Sequence, residues 1–294
     1  MRYERPETID AAIALLAGAP SRTRVLAGGT DLLVQLRAGM IEPDLVVDIK
    51  TIPSMREITA ENGGFRIGAA VAGAELSEHP DVKQLWPGVV EAVDLIGSTQ
   101  IQGRASMVGN LCNASPAADS IPAMIAAGAA VRIVGPSGHR ELPVEEVVTG
   151  PGKTALEGGE FVTSVFLPAR PPRSGDAYLR FIPRTEMDIA VVGCGVSVTI
   201  DDQGFCAAAR VGLGAVAPTP LLVQSAADAL IGTKIDDQAQ ASLGSAASAV
   251  CRPIDDKRGT IEYRTKVAGV LARRAAVIAR DRALGAVSAN GGAH

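Results

Sequence analysis

Two glycine-bearing turns hold the residues best suited to chemistry in this chain of 294 residues. The first, V-L-A-G-G-T-D-L at 25–32, leads from a short apolar run through Gly28 and Gly29 into a helical pattern. Small consecutive residues at a helix entry leave main-chain N–H groups exposed, and such groups attract anions. The second, A-S-M-V-G-N at 105–110, sets a glycine between hydroxyl and amide side chains. Together two such cradles could grip a diphosphate without lysine or arginine. Taken singly, such a turn is more often an ordinary tight corner than a phosphate site.

Other chemistries lack their residues. G-P-G-K-T at 150–154 resembles the end of a phosphate loop, but Val147 stands where that motif needs a glycine. G-L-G-A-V-A at 212–217 fits a dinucleotide fingerprint, yet Pro218 and Pro220 interrupt the helix that should open from it, so a tight strand exit is the better reading. There is no G-x-S-x-G elbow. His79, His139 and His294 are scattered, and Cys112, Cys194, Cys206 and Cys251 form no C-x-x-C pair, so neither a metal site nor a disulfide frame is expected. The net charge of −4, from 28 basic and 32 acidic residues, provides no field for nucleic acid or anionic lipid. Without a long apolar stretch or a secretory leader, the chain is expected to be cytoplasmic and not inserted in a membrane.

The elements that must carry the two turns are α+β in pattern. A helix over 8–16, strands at 24–26 and 44–49 and a helix after Asp31 make a small first unit, residues 1–55. A second unit, 56–175, opens with a hairpin about Asn62-Gly63-Gly64 and helical patterns over 74–96. It continues through a long aperiodic stretch at 97–119, where a loop inside a compact unit signals function. A helix at 120–127 and strands at 130–134 and 161–167 complete it. Past the proline-rich break at 168–172, a third unit, 176–286, has strands near 178–181, 191–200 and 206–216. Helices follow near 220–230, 236–250 and 262–283, the first of them capped by Thr219 before Pro220. Residues 287–294 make a frayed tail. Aromatic residues are only 3% of the chain and glycines number 32, so the core is built from aliphatic side chains and close backbone approaches.

Four segments in one order, A-G-G-T-D at 27–31, G-N-L-C-N-A-S-P-A-A-D at 109–119, Y-L-R-F-I-P-R-T-E-M-D-I-A at 178–190 and then G-L-G-A-V-A-P-T-P, give the chain a family resemblance over nearly its whole length. It resembles the FAD-binding medium subunits of the molybdenum hydroxylases, the xanthine dehydrogenase and carbon monoxide dehydrogenase family. The resemblance implies a two-subdomain FAD-binding fold of the vanillyl-alcohol oxidase (PCMH) type, followed by a C-terminal α+β domain of the CO dehydrogenase flavoprotein type. It also implies which residues meet the cofactor. Leu26, Ala27, Gly28, Gly29, Thr30 and Asp31, with Ala105, Ser106, Gly109 and Asn110, would cradle the FAD diphosphate. Ser115 lies in the second motif, and Asp119 would accept hydrogen bonds from sugar or ribityl hydroxyls; from pattern alone Asp119 is equally a helix cap. Ile96 would pack against the flavin ring and Val162 near the adenine or flavin; from pattern alone Val162 is equally a strand core position. Arg180 would set a positive charge beside the isoalloxazine and raise its reduction potential. No residue of this chain is expected to be catalytic in itself or to bind metal.

One departure from the family pattern is Val108, which stands where relatives commonly carry glycine. A positive φ there would strain a β-branched residue, so Gly109 and the Ser106 N–H are expected to make the close approach while Val108 points away.

The function implied is electron transfer. A large partner subunit would hold molybdopterin and hydroxylate a small molecule such as an N-heterocycle, an aldehyde or CO. A small partner would carry two 2Fe-2S clusters, and FAD in this chain would deliver the electrons to NAD, a quinone or oxygen, within a heterotrimer or its dimer. Two alternatives remain: a stand-alone flavin oxidoreductase and a scaffold subunit that has lost FAD.

Overall fold

The computed structural model describes residues 1–18, 22–184 and 187–285. The expected tail at 287–294 lies outside the described residues.

Among the described residues three larger sheets follow one another along the chain, beside one two-stranded hairpin. The first is parallel, with Arg2–Glu4 and Thr23–Leu26 on either side of a central strand, Leu45–Asp48. All four residues of that strand are buried, as a parallel strand covered on both faces requires. The helix Ile9–Ala17 connects the two outer strands and starts where the Thr8 hydroxyl accepts the Ala11 N–H at 3.1 Å. Directly after the first glycine turn comes a short helix, Leu32–Arg37.

The second sheet is antiparallel and five-stranded, in the order Ile58–Glu61, Gly64–Gly68, Phe161–Leu167, Ala130–Gly135, Gly138–Pro143. Asn62 and Gly63 form its first hairpin turn with φ of 49° and 75°. Over 74–96 the chain breaks into three helices, Gly73–Glu78, Pro80–Leu85 and Pro87–Asp94, because each proline can open a helix but not continue one. The stretch 97–119 is less irregular than its sequence suggests. It contains a 3₁₀ turn, Thr99–Ile101, and a helix, Met107–Cys112, capped by Ser106.

The third sheet is antiparallel, in the order Ser174–Phe181, Val192–Ile200, Cys206–Gly214, Leu221–Leu222. The helix expected near 220–230 is shorter than its pattern. Leu221 and Leu222 pair with Leu213 and Gly212 as strand, the helix runs only over Gln224–Asp228, and its cap position is Val223 rather than Thr219. Opposite faces of this sheet meet different helices. A Cβ at Gly195 or Gly212 would lie 2.5 or 2.3 Å from the Pro122 carbonyl oxygen, so the helix Ser120–Ala127 presses on one face. A Cβ at Gly175 would lie 2.1 Å from the Ala279 oxygen, and the long helix Ile261–Ala283 presses on the other. Its buried Ala268, Ala272, Ala275, Ala276 and Ala279 allow that approach. Among the described residues no helix is long and apolar enough to cross a membrane.

Candidate functional site

The two glycine turns meet. A Cβ on Gly28 would fall 1.9 Å from the Arg104 carbonyl oxygen and 3.2 Å from the Ala105 Cα, so the first turn touches the backbone that enters the second. Gly29 adopts φ +83°, which bends the chain into the helix Leu32–Arg37. The second turn is anchored on its far side: the Gly73 N–H donates to the Ala105 oxygen at 2.8 Å, and the Ser106 hydroxyl accepts the Gly109 N–H at 3.1 Å.

Beside this junction lies a cleft of about 510 Å³ between the first and second units. Its walls include Leu26, Ala27, Gly28, Gly29, Thr30 and Asp31 from the first turn and Ala105, Ser106, Gly109 and Asn110 from the second, with Ile96 and Val162 from further along the chain. Val108 also lines the cleft and is buried. It sits in the first turn of a helix and is absent from the positive-φ residues, so replacing glycine there strains nothing. Being helical, it sits at the cleft wall at no backbone cost. Asn110 has part of its capacity committed, since its side-chain oxygen accepts the Ser120 N–H at 3.2 Å and the Ser120 hydroxyl at 2.7 Å.

Three of the expected residues stand apart from the lining: Ser115, Asp119 and Arg180. The Ser115 hydroxyl accepts the Ala117 N–H at 3.3 Å. Asp119 is neither a free hydroxyl acceptor nor a side-chain helix cap. Its carboxylate takes the Tyr178 hydroxyl at 3.0 Å on one oxygen and the Arg180 guanidinium at 2.9 Å on the other. Burial pushes the Asp119 carboxyl up to about 6, against the pull of Arg180. The same Arg180 Nη1 donates to the Leu95 carbonyl at 2.7 Å, next to the cleft residue Ile96. Arg180 thus reaches the cleft through the main chain it holds, with its charge answered by Asp119.

Several lining residues lie outside those expected at the site: Arg24, Gln35, Asn113, Gly152, Thr154 and Phe161. Gln35 and Asn113 approach each other from the two units, Nε2 to Oδ1 at 3.4 Å. Gly152 and Thr154 belong to the G-P-G-K-T segment, which is the tip of a small hairpin of Val148–Gly150 with Lys153–Thr154. The Gly152 N–H donates to the Ala114 oxygen at 2.9 Å and brings that tip to the cleft. The glycines that made the segment look like a phosphate loop are its only sequence signal, and they mark a turn. Among the described residues no cluster of histidine, cysteine and carboxylate side chains could hold a metal.

A dinucleotide fits these walls. The main-chain N–H groups of Gly28, Gly29 and Thr30 find no acceptor among the described residues, which suits them to a diphosphate. Ile49, Ile96, Phe161 and Val162 supply apolar surface for flat rings.

Residues 1–170 match the model of the FAD binding domain in molybdopterin dehydrogenase, and residues 177–278 match that of the CO dehydrogenase flavoprotein C-terminal domain. The chain is 34% identical to the carbon monoxide dehydrogenase medium chain of Afipia carboxidovorans, over 96% of its own length and 97% of that protein's. It is 33% identical to a putative xanthine dehydrogenase FAD-binding subunit of Escherichia coli, over 89% and 90% of the two chains. Among solved structures, a chain of reconstituted CO dehydrogenase from Oligotropha carboxidovorans superposes with a TM-score of 0.91, at 34% identity over 95% of this chain and 97% of that one. With both domain models matched in order, the chain belongs to the family of FAD-binding subunits of molybdopterin dehydrogenases.

Proposed function

We propose that this chain binds FAD in the cleft between its first two units and acts as the electron-transfer flavoprotein subunit of a molybdenum hydroxylase. In this reading a large partner subunit holds molybdopterin, a small one holds two 2Fe-2S clusters, and the assembly is a heterotrimer or its dimer in the cytoplasm. Electrons leave to an external acceptor such as NAD, a quinone or oxygen. The observation that carries the reading is the contact of Gly28 with Arg104, which joins two amide-bearing turns at the edge of one cleft.

When bound, FAD supplies the redox chemistry, accepting electrons singly and passing them on singly or in pairs. The residues of this chain bind and orient. Gly28, Gly29 and Thr30 would present main-chain N–H groups to the diphosphate, joined from the second turn by the Ser106 N–H, since those of Ala105, Gly109 and Asn110 donate within the chain; charge is then met by dipoles and the chain needs no excess of cations. Ile96 and Val162 hold apolar surface against the rings and exclude water there. Arg180, braced by Asp119, fixes the Leu95 carbonyl and with it the position of Ile96.

Native mass spectrometry of the assembly purified through this chain, with flavin, iron and molybdenum analysis, tests the proposal. The expected result is one FAD per copy of this chain, together with two further polypeptides, iron and molybdenum. A lone flavin-bearing chain free of both metals would make it a stand-alone oxidoreductase. An assembly without flavin absorbance would make it a scaffold.

A further inference from the structure

Behind the first glycine turn stands a charged pair that does not line the cleft. Lys50 Nζ donates to the Ala27 carbonyl oxygen at 3.0 Å and to Asp48 Oδ1 at 2.8 Å. Asp48 is 4% exposed, and its other oxygen accepts the Tyr3 hydroxyl. It also accepts the Lys50 N–H at 3.0 Å, which starts the 3₁₀ turn Ile49–Thr51. All three strands of the first sheet converge at this corner, because Tyr3 and Leu26 lie in the outer strands and Asp48 ends the central one. The ammonium is therefore held in place by a buried carboxylate and directed at a single main-chain oxygen.

In a trans peptide, the carbonyl oxygen and the following N–H point in opposite directions. No cis peptide occurs among the described residues. A lysine that holds the Ala27 oxygen on its own side therefore turns the Gly28 N–H to the other side, where the cleft is.

Resting on the FAD reading above, we infer that Lys50 is a positioning residue for the cofactor: by fixing the Ala27 carbonyl it aims the Gly28 N–H at the diphosphate without touching the cofactor itself. A methionine at 50 can fill the same space but cannot hold the carbonyl, so the peptide is free to rotate and its N–H loses its aim. An arginine keeps a donor at that point.

The test is FAD binding to the flavin-stripped assembly, followed by flavin fluorescence and by the ³¹P resonances of bound FAD. Lys50→Met is expected to weaken binding about 10-fold or more, the scale of losing one well-aimed hydrogen bond to a charged group, and to move the diphosphate resonances. Lys50→Arg is expected to restore most of both. Because Lys50→Met leaves Asp48 buried without its cation, the double variant Asp48→Asn, Lys50→Met is measured beside it, with the thermal midpoint of each flavin-free form. Affinity within two-fold of wild type in the double variant would overturn the inference. So would a loss that Lys50→Arg fails to recover, or one that merely follows the thermal midpoint. If the wild-type assembly itself takes up no FAD, the proposed function fails instead.

Discussion

Gly28 lies so close beneath the Arg104 carbonyl that a Cβ would fall 1.9 Å from the oxygen. Glycine is needed here because one turn touches the other, before any cofactor is considered. Gly28→Val should therefore push residues 27–31 away from 105–110 and separate the two sets of N–H groups. The expected loss of FAD affinity is at least about 100-fold, roughly 2.7 kcal/mol. Visible absorbance of the purified assembly measures it, while circular dichroism should report an intact fold elsewhere. Flavin retained at wild-type stoichiometry would remove the turns from the cofactor site.

The first turn is readable because a glycine pair between an apolar run and a helical pattern stands out locally, and the second because its glycine is set between hydroxyl and amide side chains in an aperiodic stretch. Their contact is not, since nothing near Gly28 in the chain announces a carbonyl at Arg104. Largely apolar runs bounded by turn or proline signals, such as Ser120–Ala127 and Phe161–Leu167, fall at their predicted bounds. Gly138–Pro143 was invisible: it is an edge strand rich in charge, without the apolar alternation that marks a half-buried one. Met107–Cys112 was masked by Gly109 and Asn110, poor helix formers that tertiary contacts override. Asp119 is the instructive case, because its residue type suited a cap, a hydroxyl acceptor or an ion pair. Only the fold decides among them, by bringing up Arg180 from a strand of another sheet.

That pairing changes what Arg180 should do to the flavin. A lone guanidinium would favour added electrons, but this one is 2.9 Å from a carboxylate. In Arg180→Met the buried Asp119, deprived of its cation, should take up a proton at neutral pH, so the local net charge barely changes. The midpoint potential is expected to move by less than about 30 mV, the equivalent of about 1.4 kcal/mol for two electrons. A redox titration of the intact assembly checks this, and a much larger fall would mean that Arg180 acts as an uncompensated charge.

Asp119 should leave its own mark on stability. Burial raises its carboxyl from 3.8 to about 6, so the folded state binds this proton more tightly than the unfolded one. Its contribution is fully present below about 4 and is lost as pH rises through about 6. Asp119→Asn cannot titrate. The stability of wild type relative to this variant should therefore fall by up to about 1.4 kcal/mol per pH unit across that window, then level off. Urea unfolding of both proteins at several pH values from 4 to 7.5 measures the difference. A flat or rising difference would place the Asp119 carboxyl at or below its ordinary range.

The third sheet reaches the cleft through helix Ser120–Ala127. A Cβ at Gly212 would stand 2.3 Å from the Pro122 carbonyl oxygen, and one at Gly214 would stand 2.7 Å from the Pro122 ring. Gly212→Ala must therefore displace the start of that helix, and overpacking of this kind costs about 1–3 kcal/mol. The displacement has a route to the cofactor turns, because Ser120 binds the Asn110 side-chain oxygen through both its N–H and its hydroxyl. Gly212→Ala is thus expected to lower the thermal midpoint and, to a smaller degree, the affinity for FAD, although residue 212 does not line the cleft. Ser120→Ala should reproduce the affinity effect with less loss of stability, since it removes the hydroxyl link and leaves the sheet packing alone. Differential scanning calorimetry alongside flavin fluorescence separates the two effects. An unchanged midpoint in Gly212→Ala would show that the sheet and the helix do not press together as the glycines indicate.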